Sequence, residues 1–277
     1  MQNAGQPSVS ESSADRRVLL ATCVAAAVRA ADVIRAASAR LGDVRWEQKG
    51  PSDFVSAVDR DAESALSAVI LERHPHAIII AEEGSPNAEG RELSFVADPL
   101  DGTTNFLHGF PWYAVSIAAL VDGRQEAAAI INVPTGDLYT AVLNGGARRG
   151  GQAIRVSGIT DPTRALIGTG FPFKHREGIA PYMDVLPRLM QGTAGLRRAG
   201  AAALDLCDVA SGRFEAFWEY RLAPWDVAAG ILIIREAGGV ITDLDGRPAE
   251  VAHGPIVAGN PHMHGWLLEI LRAKSSS

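Results

Sequence analysis

The sequence predicts a layered α+β fold on two observations. Apolar residues recur at helical spacing in several segments, and short apolar strands are joined by tight glycine turns between them. Hairpins mixed with helices exclude a simple doubly wound sheet. With 277 residues, 47% of them hydrophobic, the chain is long enough to bury a sizeable core. Residues 1–13, rich in Ser, Gln, Asn and Gly, read as a disordered tail, as do 274–277. Between them, 14–273 reads as a single domain, with one half over about 14–155 and another over about 156–273.

The first element is a helix over 16–40, with Val18, Leu19, Cys23, Ala26, Ala30, Val33 and Ile34 along one face. Arg16-Arg17 before an apolar run also resembles a twin-arginine or lipoprotein signal ending near Cys23. The charges at Arg29, Asp32, Arg35 and Arg40 favour an amphipathic helix instead. No run is long and apolar enough to span a membrane. A loop from Lys49 leads into a short strand and then Asp59, which starts a helix over 59–73 that His74-Pro75 ends. Ile78-Ile79-Ile80 is a buried strand running into Glu82-Glu83-Gly84. Phe95-Val96-Ala97 is another, stopped at Asp98 because Pro99 prevents it from continuing. Strands over 114–121, 126–132 and 137–143 follow, with Asp122-Gly123 and Thr135-Gly136 as hairpin turns. The segment 145–151 is a glycine-rich turn without GxGxxG spacing or a Walker lysine, so it takes no nucleotide role. The second half reads as a strand over 165–169, helices over 179–190 and 200–211, and a strand over 214–219. A helix over 227–236, strands over 239–242 and 256–258 and a closing helix over 259–271 complete it.

The net charge of -6 argues against a nucleic-acid binder driven by electrostatics. A small anionic substrate stays compatible, because a metal supplies positive charge locally. Cys23 and Cys207 lie in apolar runs and read as reduced core residues, which places the chain in the cytoplasm.

The chemistry concentrates in Asp98-Pro99-Leu100-Asp101-Gly102-Thr103-Thr104-Asn105-Phe106. Two carboxylates brought close together repel unless a proton or a cation sits between them. Gly102 leaves the backbone uncrowded, so the amides of Gly102, Thr103 and Thr104 can face an anion. Carboxylates for a hard cation beside amides for an anion suggest metal-assisted phosphate chemistry. Asp-Pro and Asp-Gly are also ordinary turn dipeptides, so these residues alone fit a plain strand-to-helix turn equally well. Glu82 and Glu83 end a strand as Asp98 does and fit either the same rim or a solvated loop. Asp226 opens an apolar helix, where it serves as a cap, or as a rigid ligand behind Trp225. Asp59 fits a cap in the same way.

Taken together, Asp53-Phe54-Val55-Ser56-Ala57-Val58-Asp59, Glu82-Glu83-Gly84, Asp98 through Phe106 and Trp225-Asp226-Val227-Ala228-Ala229-Gly230 resemble the inositol monophosphatase family, magnesium-dependent and lithium-sensitive phosphatases. Gly212-Arg213-Phe214-Glu215-Ala216-Phe217-Trp218-Glu219 looks like the family's substrate-side segment, and the resemblance runs from about residue 16 to 271. Ser56 and Gly84 stand where the family often has threonine or serine. The resemblance implies a five-layered αβαβα sandwich and a homodimer, with the metal site in the first half and the substrate side in the second.

It implies two to three Mg2+ ions per site. Asp98 would bridge two of them, Glu82 and the Leu100 carbonyl would complete the first, and Asp101 and Asp226 would hold the second. A third, weaker ion would lean on Glu82. Oxygen ligands suit such a hard cation. Asp59 and Thr103, with Glu82, would activate a water for attack on phosphorus without a covalent intermediate. Gly102 and Thr103 would cradle the phosphate. Glu219, with the backbone at Gly200, Ala201 and Ala202, would read hydroxyls, and the metal ligands Glu82, Leu100, Asp101 and Asp226 would also border the substrate. Lys49 either helps the anion or is a solvated loop lysine. No extra basic cluster marks a second phosphate, so the implied substrate is a small phosphomonoester, inositol 1-phosphate first and histidinol phosphate second. No nucleic acid or membrane is implied. Some bacterial members also bind transcription machinery, which leaves a regulatory role as the alternative.

Overall fold

The computed structural model describes residues 9–50, 53–84, 92–174 and 176–273. Helix α1 (Val9–Ser38) opens the chain, followed by the hairpin of β1 (Trp46–Gly50) and β2 (Asp53–Ser56), then α2 (Ala57–Arg73). Strands β3 (Ile78–Ala81) and β4 (Leu93–Asp101) lead to the short α3 (Thr103–Leu107). A run of strands follows: β5 (Ala114–Val121), β6 (Arg124–Asn132), β7 (Leu138–Val142), β8 (Gly146–Arg149) and β9 (Gln152–Ala153). The second half contains β10 (Leu166–Thr169), α4 (Ile179–Gly192), β11 (Gly195–Arg197), α5 (Ala202–Ala210) and β12 (Ala216–Leu222). It closes with α6 (Pro224–Glu236), β13 (Val240–Thr242), β14 (Gly254–Gly259) and α7 (Pro261–Arg272).

Two sheets organise the molecule. One runs in the order β3-β4-β5-β6-β7-β8-β9, the other β11-β10-β12-β14-β13. Only β3–β4 is parallel in the first sheet; β10 is parallel to both its neighbours in the second. Period-two alternation sorts the strand residues into separate cores. Phe95, Ala97, Val115, Ile117, Ala119, Ala127 and Ala129 face α1 and α2. Val96, Ala114, Ala118, Ala128 and Ile130 face the opposite way, against α5 and α6, whose other side meets Phe217, Ile241, Ile256 and Ala258 of the second sheet. Ala165, Ile167, Trp218 and Val257 then turn outward to α4 and α7. The layers are therefore α1/α2, sheet, α5/α6, sheet, α4/α7, the five-layered αβαβα sandwich that the resemblance implied. The middle helices are apolar nearly all round: in α6, Val227, Ala228, Ala229, Ile231, Ile233 and Ile234 are all buried, as a layer with sheets on both sides requires.

Four sequence expectations are corrected. The first helix starts at Val9, so the tail assigned to 1–13 is helical from there; residues 1–8 and 274–277 lie outside the described residues. The strand at Asp98 does not stop at Pro99 but continues to Asp101 through an irregularity, with Asp98 opposite Ser116 and Asp101 opposite Ala114. Three residues advance on β4 while two advance on β5, and Pro99 sits inside that bulge, where no ladder N–H is needed. The glycine-rich turn at 145–151 contains a strand, β8, paired to β7. Asp226 does not open its helix; α6 begins at Pro224, two residues earlier. Cys23 and Cys207 are free and buried, as read from the sequence, and burial pushes the Cys23 thiol up to about 12. Among the described residues no helix is long and apolar enough to cross a membrane.

Candidate active site

The bulge in β4 turns two carboxylates toward one end of the first sheet. Asp98 is 2% exposed and Asp101 8% exposed, so both charges are withdrawn from water. Asp98 Oδ1 accepts from the Leu100 amide at 2.9 Å, which closes the bulge on itself. Asp101 Oδ2 accepts from the Ala203 amide in the first turn of α5 at 2.8 Å, so the second half of the chain is docked directly onto the motif. Asp226 is the third residue of α6, and its Oδ2 reaches back to the Ala223 amide at 2.7 Å. That bond uses one oxygen as a cap, and the residue lines the cavity beside Asp98. Trp225 behind it is buried in the central core.

Asp59 also divides its two oxygens, one to a cap and one to Thr103. Ser56 caps α2, accepting from the Val58 amide at 3.1 Å. The Ser56 amide and hydroxyl both donate to Asp59 Oδ2, at 2.8 and 2.6 Å. Asp59 Oδ1 is then free to accept from the Thr103 hydroxyl at 2.9 Å. The same hydroxyl lies 3.0 Å from the Leu100 carbonyl, but it carries one proton, and the carboxylate is the stronger acceptor.

Glu82, Asp98, Leu100, Asp101, Glu219 and Asp226 line one cavity of about 1120 Å³. Gly102, Thr103, Gly200, Ala201 and Ala202 also border it, so the structure brings together every site residue read from the sequence except Asp59, which stands behind Thr103. Lys49 lies on β1, and its side chain falls outside the described residues. The Leu100 side chain is buried in the outer core, which leaves its carbonyl as the group available for coordination.

Electrostatics favour a cation here. Burial raises the Asp98 carboxyl well above its ordinary range, and the nearby Glu82, Asp101 and Asp226 charges push it further. Asp101 is pushed up to about 7, by burial and then by Asp226, against the Ala203 and Ala202 amides and Lys174, which lower it. Burial raises Asp226 as well; the Ala223 amide, Lys174 and His253 oppose the shift. Among the described residues no three Asp, Glu, His or Cys side chains close into a ready ligand cluster. What converges is a set of hard oxygen donors whose mutual repulsion a divalent cation would relieve, and this donor set fits Mg2+.

Sequence reading missed several contributors. Asn105 donates from its side-chain amide to the Trp112 carbonyl at 2.7 Å and the Ala199 carbonyl at 2.9 Å, tying the motif to the entry of α5. It stood within the motif but carried no chemical signal. Gly102, at φ 89°, approaches the Gly200 carbonyl and Ala201 so closely that a Cβ would press on both. Gly170 lies under the Glu219 carboxyl, where a side chain would displace it, and nothing in the sequence marks that pairing. Asp205, Lys174 and His253 reach the cavity from elements distant in sequence.

Residues 15–276 match the sequence model of the inositol monophosphatase family. A putative Nus factor SuhB of Neisseria meningitidis serogroup B is 44% identical over 255 residues, 92% of this chain and 98% of that relative. The crystal structure of the extragenic suppressor protein SuhB from Bartonella henselae superposes with a TM-score of 0.87 at 38% identity, covering 91% of this chain and 97% of that one. The inositol monophosphatase of Anabaena (Nostoc) sp. PCC 7120 superposes with a TM-score of 0.82 at 32% identity, covering 93% and 96%. With its five layers and its carboxylate-lined cavity, this chain belongs to the inositol monophosphatase family.

Proposed function

We propose that this protein is a magnesium-dependent phosphatase of small phosphomonoesters, with inositol 1-phosphate as the preferred substrate. The observation that carries the reading is the convergence of Asp98, Asp101, Asp226 and Glu82 on one cavity, where their charges oppose one another. Bound Mg2+ supplies the Lewis acidity that activates a water and neutralises charge on the phosphoryl and leaving oxygens.

The chain's own residues supply the rest. Ser56 fixes Asp59 Oδ2, so Oδ1 holds the Thr103 proton and leaves the Thr103 oxygen as an acceptor for the attacking water. As the water oxygen bonds to phosphorus, its proton passes to Thr103 Oγ1, and the threonine proton passes to Asp59. Burial raises the proton affinity of Asp59, which improves it as a base. The phosphorus–alcohol bond breaks in line, and the leaving oxygen takes a proton from solvent. The first-turn amides of α3 lack helical acceptors and suit the phosphate. Glu219 lies on β12 across the cavity and suits the hydroxyls of the alcohol.

The test compares kcat/KM for inositol 1-phosphate and histidinol phosphate with Mg2+, after chelation, and with added lithium. Turnover is expected to require Mg2+, fall with lithium and favour inositol 1-phosphate by about tenfold or more. Full rate after chelation sinks the mechanism. A preference for histidinol phosphate moves the substrate to the second candidate. Gly170→Ala is expected to push Glu219 aside and lower kcat/KM for the favoured substrate by about 10–100-fold with a small change in Tm. An unaltered kcat/KM in that variant removes Glu219 as a hydroxyl reader.

The reading keeps the chain cytoplasmic and homodimeric. An exposed apolar patch at Phe173, Ile179 and Met183 supports a second copy, which sedimentation tests as a doubled mass. The Nus factor name of the Neisseria relative favours an added role in binding a transcription component. A catalytically silent variant that keeps such binding separates the two roles.

A further inference from the structure

A carboxyl with no part in the mechanism above lines the same cavity. Asp205 lies in the first turn of α5, is 2% exposed, and borders the cavity with Glu219. Its Oδ1 is buried without a hydrogen-bond partner among the described residues. The other aspartates of the site are held: Asp59 by Ser56, Asp98 by Leu100, Asp101 by Ala203 and Asp226 by Ala223. Leaving such an oxygen unsatisfied is destabilising, so this buried one calls for a donor.

The position of Asp205 is fixed by the site itself. Asp101 grips α5 through the Ala203 amide, two residues before Asp205, so the helix register follows the β4 bulge. Glu219, in the same lining, rests over Gly170. The charged groups bearing on Asp205 are Asp101, Glu219 and Asp208, with the Arg198 cation opposing them. Two carboxyls from different elements, Asp205 on α5 and Glu219 on β12, thus border one cavity. An alcohol carrying several hydroxyl donors satisfies both; an alcohol with none leaves a desolvated acceptor unpaired.

We propose that Asp205 is a substrate-binding residue that acts with Glu219, accepting a hydrogen bond from a hydroxyl of a polyol leaving group and so selecting the alcohol. The inference rests on the phosphatase reading and deepens it.

The experiment measures kcat/KM of wild type, Asp205→Ala and Asp205→Asn with Mg2+ on inositol 1-phosphate and on p-nitrophenyl phosphate, whose leaving group has no hydroxyl donor beyond the one released. The ratio of the two values is expected to fall about tenfold or more in Asp205→Ala. A ratio within about twofold of wild type overturns the assignment, as does a shift of more than about threefold in the Mg2+ concentration for half-maximal rate, which puts Asp205 on the metal. If Asp205→Ala does not fold, Asp205→Asn decides: it keeps the shape but exchanges one acceptor for a donor, and the ratio should drop by about threefold or more. An unchanged ratio there overturns the proposal. Wild-type protein that hydrolyses neither ester with Mg2+ sinks the phosphatase reading and this inference together. Hydrolysis with an unmoved ratio in the variants sinks Asp205 alone.

Discussion

Asp98→Asn is expected to lower kcat by roughly 10³-fold or more, about 4 kcal/mol of barrier, while the metal-free variant melts no lower than wild type. Asp98 is the buried centre of the acidic set, raised by its own desolvation and by Glu82, Asp101 and Asp226. Removing its charge takes away the oxygen on which the cation site depends. It also relieves repulsion in the absence of a cation. Asparagine keeps an oxygen for the Leu100 amide, so the bulge stays closed. Steady-state kinetics at saturating Mg2+ and calorimetry of the metal-free protein measure the two effects. A kcat within about tenfold of wild type removes Asp98 from its role. A large fall in Tm shows that the carboxylate serves the fold instead.

Metal-free wild type is expected to lose stability as pH rises from about 4 to 8, and Mg2+ is expected to restore it most strongly at the upper end. The sign follows from the direction of the shifts. Asp101 is held near 7 and Glu219 near 8, both above their ordinary carboxylate values and both mainly through burial. The folded chain therefore holds protons that the unfolded chain has released. Stability is full below the unfolded values and declines until the folded groups have ionised. A cation bound only by the folded state contributes about 2.7 kcal/mol at a hundred times its Kd, roughly 5–10 °C in Tm for a chain of this size. At pH 5 protons compete for the same oxygens and the increment shrinks. Melting curves at pH 5 and pH 8 with and without Mg2+ read the difference. An equal increment at both pH values means that the cation binds elsewhere.

Much of this site was legible in the sequence because its carboxylates come in short local motifs. Asp98 and Asp101 lie three apart, Asp226 follows a tryptophan, and Asp59 lies in the first turn of a helix that begins at Ala57, two residues before the predicted start. Each of these fits a cap or a turn, and the structure explains the ambiguity: Asp226 caps its helix and lines the cavity, and Asp59 caps its helix and holds Thr103, which lines it. The choice between turn and metal site could not be made from either residue alone. Pro99 misled the strand assignment because a proline stops a regular ladder, whereas a bulge accommodates it and aims both aspartates inward.

Gly170, Asn105 and Asp205 were not legible for a different reason. Gly170 matters through Glu219, 49 positions away in the chain, and Asn105 through the Ala199 carbonyl, 94 positions away. Their significance is a contact between surfaces, and no local pattern encodes it. Asp205 reads as one of two acidic positions in an otherwise apolar helix until both sheets close over α5.

The sequence by itself determined the mixed helix-and-strand class, the acidic motifs and their oxygen-donor chemistry, because strand alternation, caps and turn residues act over a few positions. Only the tertiary structure decided which carboxylates share a cavity, which are satisfied and which still require a donor. Those properties depend on burial and on distances between elements from the two halves of the chain, and the hydrogen bond from the Ala203 amide to Asp101 joins those halves.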